Sequence, residues 1–148
     1  MERTLVLIKP DAMVKGLAGN IVSEIHSLGL KMIGLKLVNV KKELAEEHYL
    51  EHKEKPFFND LIKHITGELH ENENVIAIVY EGENAVKKIR ECAGATNPEE
   101  AHPKSLRGKY GRIHSETKCH ETVLHASDSP ESAEKEIDLW FDKSEIVE

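Results

Sequence analysis

Short apolar runs alternate along the chain with amphipathic stretches, and the spacing of apolar positions switches between strand-like and helical. Leu5, Val6, Leu7 and Ile8 make the segment from Thr4 to Lys9 a strand, closed by Pro10-Asp11. Ile21, Val22, Ile25 and Leu28 then recur at helical spacing until Gly29 supplies a stop. Met32 to Val40 is rich in β-branched and aliphatic residues, with Ile33, Leu35 and Leu37 on one parity, and predicts a second strand presenting those three to one face. Two short helical stretches follow, one around Leu44 to His52 and one from Phe57 through Leu61, Ile62 and Ile65. Val75 to Tyr80 is short and almost wholly apolar, as suits a central strand covered on both faces. Asn84 is placed to cap a helix carrying Val86, Ile89 and Cys92 on one side. Ala93 to Lys118 is polar and holds several Gly and Pro residues; loops of that length in a compact domain are usually functional or disordered. A last strand near Thr122 to His125 leads into a helix with Ser129 as N-cap and Pro130 at its first position.

Without the inserted helices the order is βαββαβ, an α+β, ferredoxin-like arrangement of helices packed on one antiparallel sheet. A chain of 148 residues fits a single domain spanning residues 1–148. That fold hosts many unrelated activities, so function has to be sought in the site.

Composition narrows the classes of partner. The 20 basic and 27 acidic side chains leave a net charge of −7, which disfavours tight nonspecific binding to nucleic acid or an anionic membrane. A phosphate ligand must then be held by a local cluster of cations. Cys92 and Cys119 make no disulfide framework, and no stretch approaches a signal peptide or a membrane span, so a reducing, cytoplasmic setting is expected. The charged runs Lys41 to Glu47 and Glu131 to Glu136 are most simply solvated helix faces.

His125 is the leading candidate for chemistry, because it ends an apolar run immediately before a helix start. The positive end of that helix, turned back toward the ring, would favour a phosphate beside an imidazole able to attack it. The cations that such a site needs stand at segment ends: Lys9 after a strand, Arg90 late in a helix and Arg107 in the long loop. Lys supplies a point charge and Arg a planar fork, a mixture suited to a polyphosphate, although each alone is an ordinary surface charge. Thr96 adds a hydroxyl in a segment that otherwise reads as a turn. Phe57, with Leu61 one turn beyond, can stack on a nucleobase, core packing being the plainer role. Gly16 to Gly19 lacks the following lysine of a P-loop. His114, Cys119 and His120 lack the familiar metal-ligand spacings and read as a polar loop.

The segments Arg3 to Asp11 (RTLVLIKPD), Glu47 to Tyr49, Lys55 to Phe58, Gly94 to Pro98 (GATNP), Ser105 to Gly108 and His125 to Ser129 (HASDS) through Glu136, in this order, resemble those of the nucleoside diphosphate kinases over nearly the whole chain. The resemblance implies an enzyme that moves the γ-phosphoryl of a nucleoside triphosphate onto a histidine and then onto a nucleoside diphosphate. It also implies Mg²⁺ bridging the phosphates, with no protein ligand to the metal, and a subunit assembling as a homo-hexamer or homo-tetramer. On this resemblance His125 is the phosphorylated nucleophile, and Glu136 is the carboxylate on its other ring N–H, supported by Ser127. Lys9, Arg90, Thr96 and Arg107 are phosphate contacts, Tyr49 lies beside the histidine, and Phe57 with Leu61 clamps the base. Thr122 stands where the family commonly has an asparagine that touches the ribose hydroxyl and phosphate end of the nucleotide. The chain is also longer than the usual pattern around Gly67 to Asn74 and Ile113 to Glu121. A nucleotide sensor of the same fold is the alternative from another class; it would use Lys9, Arg107 and Phe57 but leave the pairing of His125 with Glu136 without a role.

Overall fold

The computed structural model describes residues 1–148. Its elements are β1 (Glu2–Ile8), α1 (Pro10–Val14), α2 (Ala18–His26), β2 (Lys31–Asn39), α3 (Lys42–His48), a 3₁₀ turn (Leu50–His52), α4 (Phe58–Ile65), β3 (Asn74–Gly82), α5 (Ala85–Ala93), α6 (Leu106–Tyr110), β4 (Arg112–Ile113), β5 (His120–Glu121), β6 (Leu124–Ala126) and α7 (Pro130–Trp140), followed by a short 3₁₀ turn at Lys143–Glu145. Four strands form an antiparallel sheet in the order β2-β3-β1-β6, and β4 pairs with β5 in a separate ribbon. This is the ferredoxin-like βαββαβ core, with α3 and α4 inserted before β3, and α6 with the ribbon inserted before β6.

β1 is apolar from Leu5 to Ile8 because both faces of the sheet are covered there. Val6 and Ile8 face the layer of α2 and α5, meeting Ile21, Ile25, Ala85 and Ile89. Leu5 and Leu7 face the opposite layer, built from Ala45 of α3, Ile62 and Ile65 of α4, and Ile137 and Trp140 of α7. Full burial of each of these aliphatic side chains is worth roughly 1.5–3 kcal/mol, which makes β1 the spine of the sheet. Lys9 directly follows this spine, and His125 on β6 pairs with its Leu7.

Three sequence expectations are corrected. Ile33 does not share a face with Leu35 and Leu37: a bulge between Met32 and Gly34 turns Ile33 into the core, while Leu35 and Leu37 are more than half exposed on the edge strand. The segment after α7 crosses β2 where Gly34 has no side chain, since a Cβ there would lie 2.9 Å from Ile146 Cδ1, and Val147 N donates to Ile33 O at 2.8 Å. The long loop is partly regular, because Ser105 Oγ accepts from Gly108 N and starts α6, an element too short to show a period. Asn84 precedes α5 in the left-handed region, at φ 54°, and its side chain caps nothing; Glu2 instead accepts from Val86 N at 3.2 Å in the helix's first turn.

Candidate active site

The last strand enters the site through a γ-turn. Leu124 N donates to Thr122 O at 2.7 Å, and the central residue, Val123, has φ +72°. A β-branched residue in that region is strained by about 1–3 kcal/mol and persists only where its surroundings fix it. Here Val123 N donates to Asp11 Oδ2 at 3.0 Å, and Val123 O accepts from Lys9 N at 3.0 Å. The motif at the end of β1 thus grips the turn that sets the direction of β6.

His125 pairs with Leu7 of β1 in the sheet and points its ring at α7. Its Nε2 lies 2.5 Å from Glu136 Oε1, so Nδ1 is the nitrogen left free. Ser127 Oγ donates to the same carboxylate oxygen at 3.3 Å while accepting from Leu5 N at 3.1 Å. The ring engages α7 nearly two turns in, not at its first turn, where Ser129 Oγ takes the Ser132 N–H. Glu136 is accordingly no solvated helix residue; its side chain is 13 % exposed. Burial, reinforced by the positive field of Lys9, Arg107 and Arg90, pushes the His125 pKa down to about 3, and burial pushes Glu136 up to about 7. The imidazole is neutral at neutral pH, as an attacking nitrogen must be.

Lys9 is buried at the end of β1, and its Nζ donates to Thr122 Oγ1 at 2.9 Å. Burial and the neighbouring Arg107 lower its pKa to about 8. Arg107 is also buried, with three backbone bonds: Nε to Thr122 O at 3.0 Å, Nη1 to Gly94 O at 2.9 Å and Nη2 to Leu124 O at 2.8 Å. It pins the long loop to the histidine strand, and its field reaches His125. Arg90 is exposed, with Nη1 donating to Ala126 O at 3.2 Å. Thr96 lies exposed in the bend after Gly94. Phe57 heads α4, 46 % exposed, and Leu61 is half-buried one turn on.

Tyr49 is buried, its hydroxyl has no partner, and burial raises its pKa well above the usual phenol range. The ring standing edge-on to His125 is His48, at 4.5 Å between centroids, and Tyr49 packs in turn against His48 at 4.7 Å. His48 carries no sequence signal beyond its place between Glu47 and Tyr49. Ligand-capable atoms of His48, His125 and Glu136 lie within 4.8 Å of one another. The set does not suit a metal, because Trp140 Nε1 donates to His48 Nδ1 at 3.0 Å and the His125–Glu136 bond occupies the other two groups. His114 Nδ1 accepts from Glu116 N and Thr117 N, which makes it a turn-forming residue, as expected of a polar loop.

Segments 67–74 and 113–121 come together near the γ-turn. His70, from the first, lies 3.6 Å from the buried Glu121 at the end of the second, and its ring is 5.1 Å from that of His64, whose Nε2 is 3.1 Å from Asp11 Oδ1. Burial alone would raise the pKa of Glu121, but Arg112 at 3.0 Å and Lys15 at 3.3 Å bring it below the usual carboxylate value. The second segment therefore braces the residue before Thr122.

Gly94 closes the site from the loop side at φ +86°, and a Cβ there would fall 2.3 Å from Ser105 Oγ. Gly94→Ala is expected to displace the α6 cap and the carbonyl held by Arg107, lowering stability by roughly 2–4 kcal/mol. A urea midpoint equal to wild type would contradict this.

A neutral, carboxylate-held imidazole among buried cations, on a ferredoxin-like sheet with an exposed aromatic at the mouth, defines a nucleotide-dependent phosphotransferase. The family model for nucleoside diphosphate kinase matches residues 2–146, and the chain belongs to that family. Nucleoside diphosphate kinase from Pyrococcus horikoshii is 50% identical over 147 residues, covering 99% of this chain and 89% of the relative. Among solved structures, a halophilic nucleoside diphosphate kinase from Halobacterium salinarum in complex with CDP superposes with TM-score 0.89 at 40% identity, covering 99% of this chain and 91% of that one. A transition-state mimic of the Borrelia burgdorferi enzyme with bound vanadate and ADP gives TM-score 0.88 at 34% identity, over 99% and 90% of the two chains. No helix is long and apolar enough to cross a membrane.

Proposed function

We propose that His125 carries the phosphoryl group between a nucleoside triphosphate and a nucleoside diphosphate in a ping-pong reaction. The observation that carries this reading is the bond from His125 Nε2 to Glu136, which leaves Nδ1 as the only nitrogen able to attack. Nδ1 forms the bond to the γ-phosphorus as the bond from that phosphorus to the β-bridging oxygen breaks, and the nucleoside diphosphate leaves. Glu136 stabilises the positive charge that develops on the ring, and Ser127 keeps the carboxylate in place. A second diphosphate then takes the group by the reverse path.

Phosphoryl transfer asks chiefly for alignment and charge neutralisation. Lys9, Arg90 and the free N–H groups of Arg107 supply the charge; the unpartnered Tyr49 hydroxyl and Thr96 supply neutral donors. Phe57 and Leu61 stack on the base, which discriminates little between bases and suits a broad acceptor range. Thr122 binds Lys9 directly and offers the ribose end a hydroxyl in place of an amide. The site's cations repel a bare metal ion, so Mg²⁺ would enter here only with the nucleotide phosphates, where it would supply charge neutralisation. The exposed Leu35 and Leu37 on edge strand β2 support self-association into a hexamer or tetramer. The free thiols Cys92 and Cys119 agree with a reducing, cytoplasmic setting.

Incubation with ATP labelled at the γ-position is expected to leave acid-labile, base-stable phosphate on the chain, released when GDP or CDP is added. A chain that retains intact ATP and takes up no label would overturn the reading in favour of a sensor.

The pH dependence follows from two groups. Below about 7 Glu136 is protonated and donates to Nε2, which shifts the ring proton to Nδ1 and removes the nucleophile. Above about 8 Lys9 loses its charge. For the free enzyme, kcat/KM should rise through the first value and fall through the second. Lys9→Arg should abolish the alkaline fall, and an unchanged fall in that variant would show that another group causes it.

A further inference from the structure

His48 stands at the C-terminal end of α3, half-buried, and nothing in the mechanism above uses it. Its Nδ1 takes the indole N–H of Trp140 at 3.0 Å, and its ring lies edge-on to that of His125 at an interplanar angle of 82°. An indole nitrogen is a donor only, so Nδ1 of His48 must present a lone pair. The ring proton then resides on Nε2, and a second proton on Nδ1 would set two donors face to face. We propose that His48 is a positioning residue for phosphoryl transfer, held by Trp140 as a neutral Nε2–H tautomer so that it fixes the plane of the His125 ring without adding charge beside it. This inference rests on His125 being the phosphoryl carrier.

Neutrality matters because the His125 ring becomes cationic as its N–P bond forms. A charged ring in edge contact would oppose that step directly, whereas a neutral one supplies only packing and dipole. The groups facing His48 are His125 on β6, Glu136 and Trp140 on α7, Lys9 at the end of β1, and Tyr49 and His52 beside it in sequence. Burial, His125, Lys9 and His52 all disfavour its charged form, and only Glu136 favours it. The hydrogen bond from Trp140 adds to the first side. Trp140 is the only tryptophan of the chain and is 3% exposed, so its N–H needs the acceptor that His48 provides.

The test has two parts. Nitrogen-correlated NMR of the nucleotide-free protein at pH 7 should find His48 Nδ1 unprotonated and Nε2 protonated, and Trp140→Phe should convert this to a mixture of tautomers. Single-turnover phosphorylation by ATP should slow on the order of 10-fold in Trp140→Phe at pH 6, the rate equivalent of about 1.4 kcal/mol, with little change in the ATP concentration for half-maximal rate and a smaller defect at pH 8. His48→Asn keeps an acceptor for Trp140 but has neither ring nor titration, and should slow phosphorylation equally at both pH values. A protonated Nδ1 in wild type, or wild-type phosphorylation rates in both variants, would overturn the proposal. Because the tautomer is measured without nucleotide and labelling is scored on wild type, a failure of the lock is separable from a failure of His125 as carrier.

Discussion

His125→Ala is expected to take up no phosphate from ATP and to lose exchange activity by a factor on the order of 10⁶, the scale seen when a covalent nucleophile is deleted. The fold should survive, because the lost ring is partly exposed and Ser127 continues to donate to Glu136. Nucleotide binding should survive as well, since Lys9, Arg107 and Arg90 take their positions from Thr122, Gly94, Leu124 and Ala126 and not from the imidazole. The informative comparison is between calorimetric binding of a nonhydrolysable triphosphate, expected unchanged within a few-fold, and turnover. Residual exchange within 100-fold of wild type would mean that the group passes directly between nucleotides.

Glu136→Gln is expected to lower the phosphorylation rate by roughly 10³-fold to 10⁴-fold while leaving the structure almost unaltered. The amide can keep a hydrogen bond to Nε2 but can donate its own N–H, which moves the ring proton to Nδ1, where attack must begin. The corresponding change at the buried aspartate of a serine-protease triad, which also traps the wrong tautomer, costs about 10⁴-fold. Glutamine also carries no charge to balance the cationic ring, whereas Glu136→Asp retains charge at a greater distance and should recover part of the loss. A Glu136→Gln rate within tenfold of wild type would show that the carboxylate neither sets the tautomer nor stabilises the charge.

Fold and site were legible to different depths. β1 and β3 declared themselves because strands covered on both faces need apolar residues at every position. β2 misled because a one-residue bulge inverts facing, and nothing in alternating apolar letters marks where the extra residue sits. Arg107 stood out as a cation in the long loop, but its three bonds to carbonyls depend on chain crossings that no local pattern encodes. His48 escaped for a similar reason: its partner is 92 residues away, and a histidine closing a short helix is unremarkable until that indole is beside it. Segments 67–74 and 113–121 could be marked out in the chain, yet their meeting through His70 and Glu121 required the fold.

The carbonyl anchorage of Arg107 bears on how the enzyme spends its affinity. A guanidinium already tethered in three places has little rotational freedom left to surrender when an anion arrives. With Arg107 as the proposed phosphate contact, preorganisation of this sort would let a polyphosphate be gripped without a loop having to order around it, so the entropic penalty of capture would stay small. A carrier that must receive one nucleotide and release another in every cycle gains from a rigid cradle, since recognition can then be quick and loosely tuned.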